Sequence, residues 1–328
     1  MTDPTSAATP GARRDERPSL PARYRVVERI GSGGMADVYR ADDELLGRQV
    51  AIKVFRDPES ADDRRRQQAE ARILARLSHP HLVTLFDAVL GTDGRGALIL
   101  EWVDGSDLRS LLDRGALRSS AVAAIGTQIC DALAYIHAHG VVHRDVSPGN
   151  MLLQGTPATG VTAKLTDLGI ARFVDDGRVT TTGTVVGTAG YLSPEQAQGR
   201  LVEPPTDLYS LGLVLLECLT GRREFPGGAV ESAAARLVRD PAIPAALPPR
   251  WADLLRAMTA RDPAARPTAA EAGGALDGLR AIDMPAAAPS SAAAAASAPR
   301  AAAQMPVSAE RTAVLAHIES PSLPSGRG

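Results

Sequence analysis

From Asp207 to Thr220 the chain reads Asp-Leu-Tyr-Ser-Leu-Gly-Leu-Val-Leu-Leu-Glu-Cys-Leu-Thr, a segment apolar on nearly every side. A surface helix needs cover along one stripe only, whereas a helix apolar all round must be enclosed, so this segment predicts the centre of a large helical lobe. A second stripe supports that reading: Val122, Ile125, Ile129, Leu133 and Ile136 recur at helical spacing until Gly140 stops them. The longest unbroken apolar stretch, around Leu211 to Leu216, is far shorter than the roughly 20 residues a bilayer-spanning helix needs, and no membrane span is expected.

Upstream the pattern differs. Tyr24 to Val27, Ala36 to Ala41 and Gln49 to Phe55 look like strands punctuated by Gly31, Gly33, Gly34 and Gly47, which predicts an antiparallel meander. Arg64 to Leu77 carries Ala69, Ile73, Leu74 and Leu77 on one side of a predicted helix, and His81 to Asp87 and Ala97 to Trp102 read as further strands. The expected fold class is therefore α+β and bilobal, with a small β-rich lobe over 23–103, one main helix within it, and a larger α-helical lobe over 104–282. Residues 1–22 and 283–328 are rich in Ala, Pro and Ser, lack periodic apolar residues, and are expected to be disordered.

Charged residues make up 23% of the 328, and the net charge is only −2. No basic field argues for nucleic acid and no polybasic stretch for a membrane surface. Cys130 and Cys218 lie inside apolar helical patterns, too few and too isolated for a disulfide framework or a zinc site, and read as reduced core residues. The first twenty residues hold no apolar signal-peptide core, so a cytoplasmic location is the expectation. Oligomeric state is not legible.

Within this frame sit several groups suited to phosphate chemistry. Gly31-Ser-Gly33-Gly34-Met-Ala36-Asp-Val38 lies between two predicted strands, where absent side chains would let backbone approach phosphates; alone, it reads sooner as a hairpin turn without a ligand. Val50-Ala-Ile-Lys53 ends an alternating strand with a lysine that needs an anionic partner or water, and Glu70 lies on the helix expected to face that sheet. His143-Arg-Asp145-Val-Ser-Pro-Gly-Asn150, Asp167-Leu-Gly169 and Ser193-Pro-Glu195 follow in that order. A lone loop aspartate is usually a cap or turn former; it is the joint order and spacing that favour chemistry here.

These five motifs resemble the signature set of the protein kinases, and Gly187-Thr-Ala-Gly-Tyr-Leu-Ser-Pro-Glu-Gln196 is similar to the bacterial eukaryotic-like, Hanks-type Ser/Thr kinases often found in actinobacteria. The resemblance implies transfer of the γ-phosphoryl group of ATP, with Mg²⁺ (or Mn²⁺), to Ser or Thr hydroxyls of protein substrates, the chain itself included. It implies Asp145 as base, Lys53 on the α- and β-phosphates and paired with Glu70, and Asn150 and Asp167 as metal ligands. Ile30, Gly31, Gly33, Gly34, Val38, Ala51 and Leu152 would surround the nucleotide, with Leu100 as gatekeeper, the backbone of Glu101 and Val103 at adenine, and Asp107 near the ribose. His143 reads as a core residue packed against Leu168. Glu195 and Arg266 would brace the substrate region, and Asp207, an N-cap candidate, would anchor the catalytic loop from beneath.

Three departures stand out. Ala36 replaces the third glycine, Leu168 the usual Phe, and Ser147 a lysine that neutralises charge on the transferring phosphoryl. The first two are shape changes; the third removes a charge contact and keeps a pseudokinase that binds nucleotide or partners in view. A small-molecule phosphotransferase is a third reading, disfavoured by the substrate-platform segment. Thr180 and Thr182, in a Thr cluster near Arg172 and Arg178, are expected autophosphorylation sites, with Arg144 as a cation suited to a phosphothreonine. Thr188 is expected at Asp145 as part of acceptor selection, and Thr312 as an unstructured polar residue.

Overall fold

Strand β3 (Arg48–Phe55) sits in the middle of a five-stranded sheet of order β1-β2-β3-β5-β4, formed with β1 (Tyr24–Ser32), β2 (Ala36–Asp43), β4 (Leu85–Leu90) and β5 (Gly96–Glu101). All four pairings are antiparallel. The period-two alternation of β3 sorts its side chains between two apolar clusters. Val50 and Ile52 join Tyr24, Ala41, Ala97 and Ile99 on one face. Ala51 and Phe55 join Ala36, Leu98, Leu100 and Ala71 on the other, the last contributed by helix α1 (Ala61–Leu74). Lys53 therefore shares its face with Ala51 and Phe55, toward α1.

The structure is a computed structural model that describes residues 20–33, 36–56, 61–90, 96–156, 160–168, 188–282 and 284–286. All of these belong to one compact unit. The expected disorder of both termini falls almost wholly outside the described residues.

After the sheet, β6 (Ser106–Asp107), β7 (Met151–Thr156) and β8 (Gly160–Leu165) form a small antiparallel sheet of their own. Helices α2 (Leu108–Leu112), α3 (Ser119–Ala138), α4 (Pro194–Ala197), α5 (Pro205–Thr220), α6 (Ala229–Val238), α7 (Pro249–Met258) and α8 (Ala269–Asp277) build the rest. Helix α5 is enclosed as its composition demands: every residue from Thr206 to Leu219 is buried. Helix α3 packs on it, burying Val122, Ile125, Ile129, Leu133 and Ile136. The segment before β4 meets the small sheet where Leu82 bridges Leu165 and Val83 N–H donates to Leu165 O at 3.0 Å.

Four expectations are corrected. The fourth strand runs over Leu85–Leu90 rather than 81–87, because the residues before it turn: Leu82 N–H bonds back to His79 O. Helix α1 begins at Ala61 and ends at Leu74, with tighter turns carrying the chain to Leu77. Asp207 is not an N-cap. The cap position is Pro204, and Asp207 sits inside the first turn with its carboxylate turned away to the loop described below. Finally, α3 is long and apolar enough to cross a membrane by length and composition alone, a segment overlooked in favour of 211–216; in the fold it is a core helix.

Gly105, where the chain leaves the first sheet, is required by contact rather than by backbone angle. A Cβ there would lie 1.9 Å from Leu153 O and 2.9 Å from its carbonyl carbon, both backbone atoms of β7 that cannot swing aside. Gly105→Ala is expected to destabilise the protein by about 1–3 kcal/mol as an overpacking change. A thermal scan should show Tm lowered by roughly 3–10 °C, and an unchanged Tm would refute the contact.

Candidate active site

Strand register lines up the first part of the site. Gly31 pairs with Val38, Val38 with Lys53 and Lys53 with Leu98, a row straight across the sheet. At its centre the Lys53 ammonium donates to Glu70 Oε1 at 2.8 Å and to Asp167 Oδ1 at 3.0 Å. Burial works against the ammonium, but the two carboxylates outweigh it and hold Lys53 above its ordinary range. Burial also pushes the Glu70 carboxyl up against the pull of Lys53. Asp167 goes the other way: burial would raise it, yet Lys53 draws it below the usual carboxylate range, so it is an anion at neutral pH.

Gly31 in this row and Gly33 beside it meet nothing among the described residues that requires a glycine. A Cβ on Gly31 would come no nearer than 3.7 Å to Val38, one on Gly33 no nearer than 3.5 Å to Ala36 O, and neither residue has positive φ. The freed space lies over the strand pair, and Gly33 N–H closes the hairpin on Ala36 O at 2.9 Å. That is a cradle that side chains would fill. Gly34 lies outside the described residues.

The loop from His143 to Asn150 is held from two sides. From beneath, Asp207 accepts hydrogen bonds from the His143 and Arg144 backbone N–H groups and from His137 Nε2, each at 2.8 Å. From within, His143 Nε2 lies 3.0 Å from Thr166 O while its Nδ1 accepts the Asp145 N–H at 3.3 Å. Those partners assign the ring proton to Nε2 and make His143, fully buried, a structural residue as expected. Asn150 commits its amide nitrogen to Asp145, at 2.8 Å to the backbone oxygen and 3.1 Å to Oδ2, which leaves its amide oxygen as a donor for a cation. A 3₁₀ turn, Pro148–Asn150, presents it. Ser147 precedes the turn, buried and making no cap bond.

Between the sheets, Ala51, Leu100, Val103 and Leu152 meet in one apolar cluster with Leu98 and Phe55. Glu101 N–H is taken by Thr84 O at 2.8 Å, and its carboxylate by Lys164 at 3.0 Å. Asp107 Oδ1 accepts from Ser110 N–H at 2.6 Å, so this carboxylate also caps α2. Ile30 is exposed and Val38 half-buried at the mouth. Behind Leu100, a pocket is lined by Glu70, Leu74, Leu77, Val83, Asp167 and Leu168 among others.

Below the loop, the backbone from Thr188 to Tyr191 forms a 3₁₀ turn that runs into α4. Gln196 Nε2 donates to Arg144 O at 2.8 Å, tying this turn to the loop from His143 to Asn150. The expected brace is present: Arg266 reaches Glu195 with two bonds, 2.6 and 2.9 Å, and Thr206 adds a third at 2.6 Å. A second network escaped the sequence reading. Glu217, buried in α5, takes Arg109 Nη1 at 2.6 Å and the Tyr191 hydroxyl through a short bond. Its signal was available: a carboxylate inside a helix apolar all round needs partners. Thr180 and Thr182 lie outside the described residues, as do Gly169 and the Thr188 side chain.

A profile of the protein kinase domain matches residues 24–274. The serine/threonine-protein kinase PknA of Mycobacterium tuberculosis is 41% identical over 257 residues, covering 76% of this chain and 59% of that protein. PknL of the same species is 39% identical over 256 residues, covering 75% and 63%. A Corynebacterium efficiens serine/threonine-protein kinase, drp72, is 40% identical over 247 residues, 72% of this chain and 46% of that one. The chain thus spans about three-fifths or less of the length of these relatives.

The Glu195–Arg266 brace has a pH signature. Burial would raise the Glu195 carboxyl, but the Arg266 guanidinium and the Thr206 hydroxyl lower it beneath its ordinary 4.5. The native state then binds fewer protons than the unfolded chain, so this contribution is complete above about pH 4.5 and is lost as pH falls through the lower native value. Urea unfolding between pH 3 and 6 should show a shallower acid slope in Glu195→Gln; identical slopes would contradict it. Arg266→Met, which strands a buried carboxylate, should cost about 3–5 kcal/mol in the same assay at pH 7.

Proposed function

Given that the chain belongs to the protein kinase domain family, with relatives that are bacterial Ser/Thr kinases, we propose that it transfers the γ-phosphoryl group of ATP to Ser or Thr hydroxyls of protein substrates. The observation that carries this is the Lys53 ammonium seated between Glu70 and Asp167. It joins helix α1, strand β3 and the segment after β8 in one charge arrangement, and the Lys53–Glu70 pair within it is the one phosphoryl transfer requires.

The donor set fits a triphosphate and a hard cation. Gly31 and Gly33 leave backbone room for phosphates, Lys53 is a fixed cation beneath them, and Asp167 and Asn150 offer carboxylate and amide oxygens of the kind Mg²⁺ prefers, with Mn²⁺ the next candidate. When bound, the ion screens the phosphate oxygens and stabilises charge on the leaving ADP. Ala51, Leu100, Val103 and Leu152 form an apolar slot suited to adenine.

In this reading Asp145 orients the acceptor hydroxyl and takes its proton as the oxygen attacks. The new bond joins that oxygen to the γ-phosphorus, the bond from phosphorus to the β–γ bridging oxygen breaks, and ADP carries away the electron pair. Asn150, bonded to Asp145 Oδ2, fixes the carboxylate rotamer, so the base and one metal donor cannot move independently. Activation through Thr180 and Thr182 belongs to the proposal as well, with Arg144 beside the base as the cation a phosphothreonine would meet.

The test is purified chain with labelled ATP and Mg²⁺, scored for transfer to itself and to an acceptor protein. Asp145→Asn should lose about 10²- to 10⁴-fold in kcat. Equal near-zero transfer from wild type and variant would overturn the reading in favour of a nucleotide-binding pseudokinase. Ser147→Lys restores a cation at the transferring group and should raise kcat, by up to about 10²-fold, more than it changes KM for ATP; equal kinetics would dismiss Ser147 as a rate determinant.

A further inference from the structure

One buried cation has no place in the mechanism above. Arg236, in the last turn of α6, is fully buried, yet no carboxylate is paired with it among the described residues. Its guanidinium is spent on neutral oxygens. Nη2 donates to Ala189 O and to Ser232 Oγ, both at 2.7 Å, Nη1 makes a short bond to Leu192 O, and Nε donates to Ser232 O at 2.9 Å. The Phe225 ring lies 5.1 Å away, and Ser232 Oγ donates in turn to Phe225 O at 3.0 Å. Burial without a counter-ion pulls the guanidinium down to about 10, still a cation at neutral pH.

Such an arrangement is costly as a stability device, because a desolvated charge without an anion is worth less than a well-packed apolar side chain. What a guanidinium supplies, and an apolar side chain cannot, is a rigid planar fork able to hold two carbonyls at once. The two it holds, Ala189 and Leu192, bracket the turn that leads into α4. One of the two carbonyls between them, Tyr191 O, is taken by Ser210 Oγ of α5 at 2.7 Å. The turn is therefore fixed from α5 and α6 together, and Gln196 passes its position on to Arg144 O beside Asp145.

We infer that Arg236 is a positioning residue for the protein acceptor: it sets the turn at 188–192 against the catalytic loop so that an incoming hydroxyl meets Asp145. The inference rests on the kinase reading. Its lever is confined to the acceptor side, since none of its partners belongs to the nucleotide slot or to the Lys53 arrangement.

The experiment compares wild type, Arg236→Met and Arg236→Lys, each as the full chain, with dephosphorylated casein as acceptor. Arg236→Met should raise KM for casein about tenfold while KM for ATP stays within about twofold; Arg236→Lys, whose ammonium reaches one carbonyl rather than two, should fall between. Hydrogen exchange of the same proteins should be faster at 188–193 in Arg236→Met and unchanged through α5. A parallel rise in both KM values, no change in either, or unaltered exchange at 188–193 would overturn the inference. Should Arg236→Met fail to fold, Arg236→Lys decides by the same readouts, and loss of both folds would make the residue a folding element and overturn the inference too. Absence of transfer by wild type would instead remove the kinase reading, and the exchange measurement would still decide the clamp.

Discussion

The carboxylate of Asp207 is buried in the middle of the larger lobe, where an ion is tolerated only if every lone pair is used, and three donors converge on it. Two of those donors are consecutive backbone N–H groups, of His143 and Arg144. A backbone bound at two successive amides cannot slide along its anchor, so the register of the loop against α5 is set before any substrate arrives. Asp145 inherits its place from that anchor, and Asn150 from Asp145. The all-round apolar character of α5 matters in the same way: a helix enclosed on every side is a fixed datum from which the loop is measured.

Lys53 extends this order to the sheet. Its strand neighbours fix where the side chain starts, and Glu70 and Asp167 fix where it ends. The three titrating groups respond differently to the same enclosure: Lys53 is driven up, Asp167 down, and Glu70, the more deeply buried carboxyl, up. In the proposed function an incoming polyphosphate would compete with these carboxylates for the ammonium. Asp167, 43% exposed, is open to solvent on its other side and would be free to exchange the lysine for a metal ion in the proposed reaction, whereas Glu70, 5% exposed, is enclosed. The Lys53–Glu70 pair is thus the lasting half of the arrangement and the Lys53–Asp167 pair the exchangeable half.

Much of this was legible in the chain because it depends on local period. Strand alternation ended on a lysine in need of an anionic partner, and the stripe from Val122 to Ile136 marked a core helix. The ordered motifs carried a family resemblance, and that resemblance supplied Asp145, Asn150 and Asp167 as well as the Glu70 and Arg266 pairings. What was not legible depends on distance. Gly105 looks like any loop glycine until Leu153, nearly fifty residues on, closes over it. The role of Asp207 was foreseen but its position was not, since an aspartate opening an apolar run has the sequence signature of a cap, while the helix in fact starts earlier, at Pro205, and leaves Asp207 inside its first turn. Arg236 carried no signal at all, for an arginine in a helix is ordinarily a solvated residue.

Backbone geometry adds a final point about where the fold spends its stability. Among the described residues only two non-glycine residues have positive φ: Arg144 at 65° and Asp167 at 54°. Each forfeits about 1–2 kcal/mol relative to ordinary backbone. They sit on the two segments that carry Asp145 and the partner of the Lys53 ammonium, and each is held by a partner from elsewhere in the chain, Arg144 by Asp207 and Gln196, Asp167 by Lys53. Glycine would relieve either strain at once, but at position 167 it would remove the carboxylate, and at both it would let the backbone leave the left-handed region whenever its partner let go. The strained residues therefore convert distant contacts into local geometry: the turn at Arg144 persists because α5 holds it, and its persistence is what aims Asp145.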